Sequence, residues 1–294
     1  MPDEYSEANR RYWDGLVPIH LDSEFYDVAG FKAGESALKP TELEEMGDVS
    51  GRSLLHLMCH FGLDTLSWAR MGARVTGVDF SEPAIKAARR LADDFDIEAV
   101  FIESDVYDLP SRLDGQFDIV FTSYGVLFWL PDVVRWAQIV AKFLRPSGVS
   151  YIVEFHPVCG IFEQPGGATD LAVSRPYFTP DEPLRFEEGG SYAARDTRLE
   201  QRVTYSWPHP LGEVVTALID AGLRIDFLHE FPFTVEEFFP SCVASPDGSF
   251  RLAKHDGSVP LLYSIKATKP VRRRANSLAA GSEELGCYTF ASGA

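Results

Sequence analysis

From Ser53 to Phe155, short apolar runs alternate with stretches of helical period. Ser53–Met58 reads as a buried strand, and Leu63–Met71 as a helix stopped by Gly72. Arg74–Val78 is a second strand that ends at Asp79. Ser81 then stands as an N-cap, before Ile85, Ala88, Leu91 and Phe95 recur at helical spacing. Ala99–Ile102 and Phe117–Phe121 give the third and fourth strands. Pro131 is expected to open a helix with Val133, Ala137, Val140 and Leu144 inward, and Val149–Phe155 is the fifth strand. Strands that are continuously apolar and separated by helices are those of a parallel sheet covered on both faces. Right-handed crossovers then leave a doubly wound α/β domain as the main architecture.

Past Phe155 the pattern breaks. Residues 157–206 are rich in Pro, Gly and charge, with one alternating stretch near Arg202–Tyr205. Helical period returns at Leu211–Ala221, with Gly222 as its stop, and Leu223–Phe231 and Leu261–Ala267 read as two more strands. The expected organisation is an N-terminal helical lid (1–50), a cofactor-binding core (51–156), a substrate-cap insertion (157–206), and a core completion (207–269) that carries a loop insertion (232–259). A small, polar tail follows (270–294), expected to be disordered.

Composition narrows the function classes. The 294 residues hold 44 acidic and 27 basic side chains, a net charge of −17. A field of that sign repels phosphate backbones, so a nucleic-acid partner is disfavoured. Residues 1–50 alone carry twelve acids against four bases, which is read first as a solvated helical surface. Cys59, Cys159, Cys242 and Cys287 form no Cys-x-x-Cys pair, so neither a metal site nor a disulfide framework is expected. The charged N-terminus lacks a signal-peptide core and no apolar run spans a bilayer, so a cytoplasmic, membrane-free protein is expected.

In open α/β sheets ligands sit beyond the carboxyl ends of the strands. The loop after the first strand, His56-Leu57-Met58-Cys59-His60-Phe61-Gly62, has one glycine and no lysine. It is therefore neither a dinucleotide loop nor a P-loop, and NAD and ATP readings weaken. A nucleoside without phosphates remains, because Asp79 at the second strand's end can accept from two ribose hydroxyls. The third strand leads into Glu103-Ser104-Asp105-Val106, where a carboxylate can accept from an adenine amino group beside an apolar neighbour.

Those segments together resemble the class I S-adenosylmethionine (SAM) methyltransferases. The match runs over Leu54–Gly62, Val75–Ser81 with Ala84-Ile85, Ser104-Asp105-Val106 before Leu109-Pro110, Phe117–Val120, and the turn Leu144–Gly148. The resemblance implies a mostly parallel seven-stranded sheet with an antiparallel last strand and helices on both faces, completed by residues 211–267. The family usually has an acid where His56 stands and glycines where Met58 and His60 stand.

The resemblance assigns SAM as cofactor. Asp79 would hold the ribose and Phe80 flank the adenine. Asp105 and Val106 would read the adenine edge, Gly62 would permit the close loop, and His60 would line the methionyl pocket. Aromatic faces favour a sulfonium cation: Tyr124, after strand four, lies where the methyl should point. Tyr12, Trp13, Phe25 and Tyr26 are lid candidates, with Trp13 placed in the cofactor site. Tyr124, His156 and His209 are the candidates for catalysis, the two histidines as bases. Trp129 and Trp207 are candidate pocket walls. The aromatics of the insertions (Phe162, Tyr177, Phe178, Tyr192, Phe238 and Phe239) suit a capped pocket for a small-molecule acceptor, methylated at oxygen or nitrogen. A SAM or nucleoside binder without transfer activity and an NAD-linked oxidoreductase stand as alternatives.

Overall fold

The computed structural model describes residues 4–163, 170–187, 189–194, 197 and 199–271. The tail expected at 270–294 falls outside them from residue 272 onward, as does Cys287. Seven strands form one sheet: β1 (Ser53–Leu57), β2 (Arg74–Asp79), β3 (Ala99–Glu103), β4 (Phe117–Ser123), β5 (Leu144–Phe155), β6 (Arg224–Phe231) and β7 (Leu262–Thr268). Their order is β6-β7-β5-β4-β1-β2-β3. β7 runs antiparallel to both β5 and β6, and the pairs β5–β4, β4–β1, β1–β2 and β2–β3 are parallel. This is the doubly wound sheet with an antiparallel last strand.

Strand alternation sends successive side chains to opposite faces. Leu55 and Leu57 of β1 pack with Val120, Ile152 and Ile265 under α6 (Val133–Phe143) and α7 (Leu211–Asp220). Leu54, Phe121 and Tyr151 point the other way, against Trp68 of α4 (Leu63–Arg70) and Met46 of α3 (Pro40–Met46). α5 (Glu82–Asp94) buries Ala84, Ile85, Ala88 and Leu91 in a neighbouring cluster with Phe61 and Phe101. The Ser81 hydroxyl caps α5 by accepting from the Ala84 N–H. α6 departs from expectation. Its cap is Asp132, whose side chain accepts from the Arg135 N–H, so Pro131 lies just outside the helix.

The N-terminal segment folds as α1 (Glu4–Leu21), α2 (Val28–Ala33) and α3. Asn9 of α1 pairs with the backbone of Tyr205 in both directions, at 2.8 Å each. That residue belongs to a small antiparallel pair, Leu184–Glu187 with Val203–Ser206. The start of the chain and the insertion after β5 are therefore fastened to each other above the sheet's carboxyl edge. Cys59, Cys159 and Cys242 are buried free thiols.

Candidate active site

A cavity of about 490 Å³ opens at that edge. The loop between β1 and α4 forms its floor. Met58, His60 and Gly62 have φ of 58°, 51° and 83°, so three alternate residues take the left-handed conformation that favours glycine. The loop thus keeps a glycine-type path with only one glycine. At Gly62 the requirement is also steric, because a Cβ would lie 2.7 Å from the Phe101 ring. The strain at Met58 and His60 is held by bonds around them. The Cys59 N–H donates to the Val78 carbonyl, and the His60 N–H donates to Asp79 Oδ2 at 2.8 Å.

Asp79 ends β2 inside this cavity. Its other oxygen accepts the Ser81 N–H at 2.9 Å, and burial raises its pKa to about 6. A carboxylate has about four acceptor sites, so two remain for a ligand. Phe80 lines the cavity beside it, with the Arg10 guanidinium 5.7 Å from its ring centre. Asp105 and Val106 line the cavity after β3. Asp105 Oδ1 accepts the Tyr107 N–H at 2.8 Å, and burial raises its pKa. The structure brings His60, Gly62, Asp79, Phe80, Asp105, Val106, Trp13 and Tyr124 to one cavity.

On the far side, Tyr124 follows β4 with φ of 34°. Its hydroxyl donates to Glu42 of α3 at 2.6 Å. Glu42 is fully buried, which pushes its pKa up to about 7. The loop carrying Tyr124 is fixed by Glu154, near the end of β5. That buried carboxylate accepts the N–H groups of Gly125, Val126 (2.7 Å), Leu127 (3.0 Å) and Phe155 (2.7 Å).

The roof is aromatic. Trp13 meets the His60 ring at 5.3 Å and the Trp129 ring at 5.5 Å between centres, and Tyr12 stacks on Trp129. His20 of α1 is fully buried and bridges two regions. Its Nδ1 lies 2.9 Å from His60 Nε2, and its Nε2 lies 2.9 Å from the Ser191 hydroxyl. Burial lowers the His20 pKa to about 3 and holds His60 well below its ordinary value, so both rings are neutral near pH 7. The Tyr26 and Tyr192 hydroxyls share a short hydrogen bond next to this pair.

Two catalytic candidates lie elsewhere. His156 follows β5, but its ring turns from the cavity: Nδ1 accepts the Val158 N–H and Nε2 lies 2.9 Å from Glu230. Phe155, one residue earlier, takes the cavity-facing direction. His209 is buried under the rim, with Nε2 donating to the Leu130 carbonyl at 2.7 Å. Trp207 is likewise buried outside the cavity, whereas Trp129 lines it. Of the insertion aromatics, Tyr192 and Phe238 line the cavity. Phe239 sits in a separate cluster, and Phe178 is exposed to solvent.

Residues that sequence reasoning passed over include His20, Glu42, Asp64, Ser123 and Glu154. Glu154 carried a signal, as a lone acid within the apolar run Tyr151–Phe155. Among the described residues no group of three or more His, Cys, Asp or Glu is placed to hold a metal ion. No described helix is long and apolar enough to cross a membrane.

This sheet order and cavity define a Rossmann-like core of the class I methyltransferase type. Residues 54–148 match the family model of the methyltransferase domain. A ubiquinone biosynthesis O-methyltransferase of Xanthomonas oryzae pv. oryzae is 29% identical over 135 residues, 45% of this chain and 56% of that protein. The chain thus spans about half the length of the curated relatives it matches. An S-adenosylmethionine dependent methyltransferase from Mesorhizobium loti superposes with a TM-score of 0.57 at 22% identity, over 81% of this chain and 99% of that one. The glycopeptide N-methyltransferase MtfA, complexed with SAM, gives 0.51 at 15% identity, over 78% and 92%.

Proposed function

We propose that this chain is a cytoplasmic enzyme that methylates a small-molecule acceptor at oxygen or nitrogen, using SAM. The carrying observation is that Asp79, Asp105, the Gly62 loop and Tyr124 converge on one cavity from the ends of β2, β3, β1 and β4. The residues fit the cofactor. Asp79 retains acceptor capacity after its two backbone bonds, and the Trp129 Nε1 is a buried donor without a partner. Asp79 would hold the ribose and Asp105 the adenine edge. Phe80 and Val106 would flank the base, and His60 and Trp13 would cover the amino-acid part.

Bound SAM supplies an electrophilic methyl group on a sulfonium. The chain's own work is alignment and exclusion of water, which can supply ~7–11 kcal/mol. Glu154 fixes the loop that presents Tyr124, and α1 with the segment around Ser191 roofs the cavity. His156 and His209 face away, so this reading gives them structural rather than basic roles. The negative charge supports a small acceptor over a nucleic acid. The domain plan retains its proposed sense: residues 1–50 as lid, 157–206 and 232–259 as acceptor cap.

Titration with S-adenosylhomocysteine and with NADH, followed by incubation with methyl-labelled SAM and a metabolite extract, tests the proposal. Binding of S-adenosylhomocysteine and transfer of label are expected. Binding of NADH alone would overturn it, and cofactor binding without transfer would support a binder.

A further inference from the structure

The end of β1 holds the clearest departure from the family pattern, because the residue in the place of an acid is His56. It is fully buried beside Phe121, and its pKa falls to about 3, so it carries no charge near neutrality. Its hydrogen bonds lead to a carboxylate. His56 Nδ1 lies 2.8 Å from the Thr65 hydroxyl, His56 Nε2 lies 3.4 Å from the Ser123 hydroxyl, and that hydroxyl donates to Asp64 Oδ2 at 3.1 Å. The Ser123 proton is committed to Asp64, so Ser123 accepts from His56 Nε2–H, and Nδ1 accepts from Thr65. Every donor in the chain points toward Asp64.

Asp64 sits in the first turn of α4 and lines the cavity. Burial raises its pKa, and it makes no ion pair among the described residues, although Lys39 acts on it from a distance. A desolvated carboxylate without a cation is costly, so a cationic ligand group beside it is favoured. The sheet says which group that is. Asp79 and Asp105 place the nucleoside over β2 and β3, so the amino-acid end of the cofactor extends over the loop after β1 toward β4, where Asp64 and Ser123 meet.

Resting on the SAM reading, we propose that Asp64 binds the α-ammonium of the cofactor's methionyl group. Thr65, His56 and Ser123 orient it as positioning residues.

Calorimetry on the full chain with two ligands tests this. S-adenosylhomocysteine carries the ammonium; 5′-methylthioadenosine has the same nucleoside and sulfur but no amino-acid part. Asp64→Asn should weaken S-adenosylhomocysteine about tenfold or more, the usual size for a lost charged hydrogen bond, and leave 5′-methylthioadenosine within about twofold. Asp64→Ser, which shortens the side chain, is the second variant should the amide not fold, and the same pattern is expected. Equal losses for both ligands, or no loss for either, would overturn the proposal. Failure of the unsubstituted protein to bind either ligand would instead remove the SAM reading itself.

Discussion

The His60 backbone N–H donates to Asp79 Oδ2, and this bond joins the strained loop after β1 to the carboxylate that ends β2. The His60 ring meanwhile reaches His20 of α1, and through it Ser191 of the insertion. A single residue therefore couples three parts of the site: the loop floor, the acid that ends β2 and the roof. Removing the Asp79 carboxylate frees the His60 and Ser81 N–H groups together. Asp79→Ala should weaken S-adenosylhomocysteine binding at least tenfold, as expected for a lost charged hydrogen bond of roughly 1.5–3 kcal/mol. Isothermal titration measures it, and unchanged affinity would refute the ribose assignment.

The left-handed backbone at position 60 reverses the usual ranking of small residues. Glycine normally destabilises relative to alanine, but an L-residue at φ 51° bears a penalty of roughly 1–2 kcal/mol. Both His60→Gly and His60→Ala lose the ring and its bond to His20. The glycine variant should nevertheless be the more stable of the two, by about 1 kcal/mol in denaturant unfolding. The opposite order would mean that the loop relaxes to another conformation.

His20 is the fastener of the roof. His20→Ala leaves the His60 ring and the Ser191 hydroxyl without their common partner in a buried setting. The roof should open more often, so bound S-adenosylhomocysteine should dissociate about tenfold faster, corresponding to roughly 1–2 kcal/mol. Stopped-flow displacement measures the rate. An unchanged rate would show that ligand exchange does not pass through this contact.

The parts legible in the sequence are those fixed by backbone position. Asp79 and Asp105 stand at or just past the ends of strands whose apolar runs are unmistakable, and the carboxyl ends of parallel strands form the ligand edge. Ser81 announces its helix through a local cap. Side-chain direction is a different matter. Phe155 and His156 both stand at the end of β5, yet only Phe155 lines the cavity, because successive residues there diverge. The loop's shape was hidden for a related reason. Met58 and His60 do not look like glycines, and tertiary contacts around them hold a conformation glycine would take freely. Glu42 and Asp64 depend on partners 82 and 59 residues away, beyond any local pattern.

Glu42 sets a pH dependence whose sign is determined by burial. Its carboxyl has a pKa of about 7 in the folded chain, against an ordinary value of 4.5. The folded state therefore binds this proton more tightly. Stability from this group is fully present below pH 4.5 and is lost as pH rises to 7, by up to about 3 kcal/mol. Glu42→Gln mimics the protonated carboxyl, keeping an acceptor for the Lys39 N–H and a donor toward Tyr124. The difference in unfolding free energy between variant and parent should be small at pH 4 and shift in favour of the variant by pH 8. A difference independent of pH would show that the Glu42 carboxyl titrates alike in the folded and unfolded chain.

Glu154 holds the loop that presents Tyr124, and its geometry admits no isostere. Its two oxygens accept four backbone N–H groups, from Gly125, Val126, Leu127 and Phe155. Glutamine offers one oxygen and turns an NH₂ group toward the remaining donors, so at least one buried N–H loses its partner. Each such loss costs about 1–3 kcal/mol, which sets the expected destabilisation of Glu154→Gln. Tyr124 should also lose its alignment. The rate of methyl transfer should therefore fall more than the affinity for S-adenosylhomocysteine, whose proposed ribose and adenine contacts lie on β2 and β3. Chemical denaturation and single-turnover transfer measure the two effects. Full activity in a destabilised variant would show that the Tyr124 loop does not position the reacting groups.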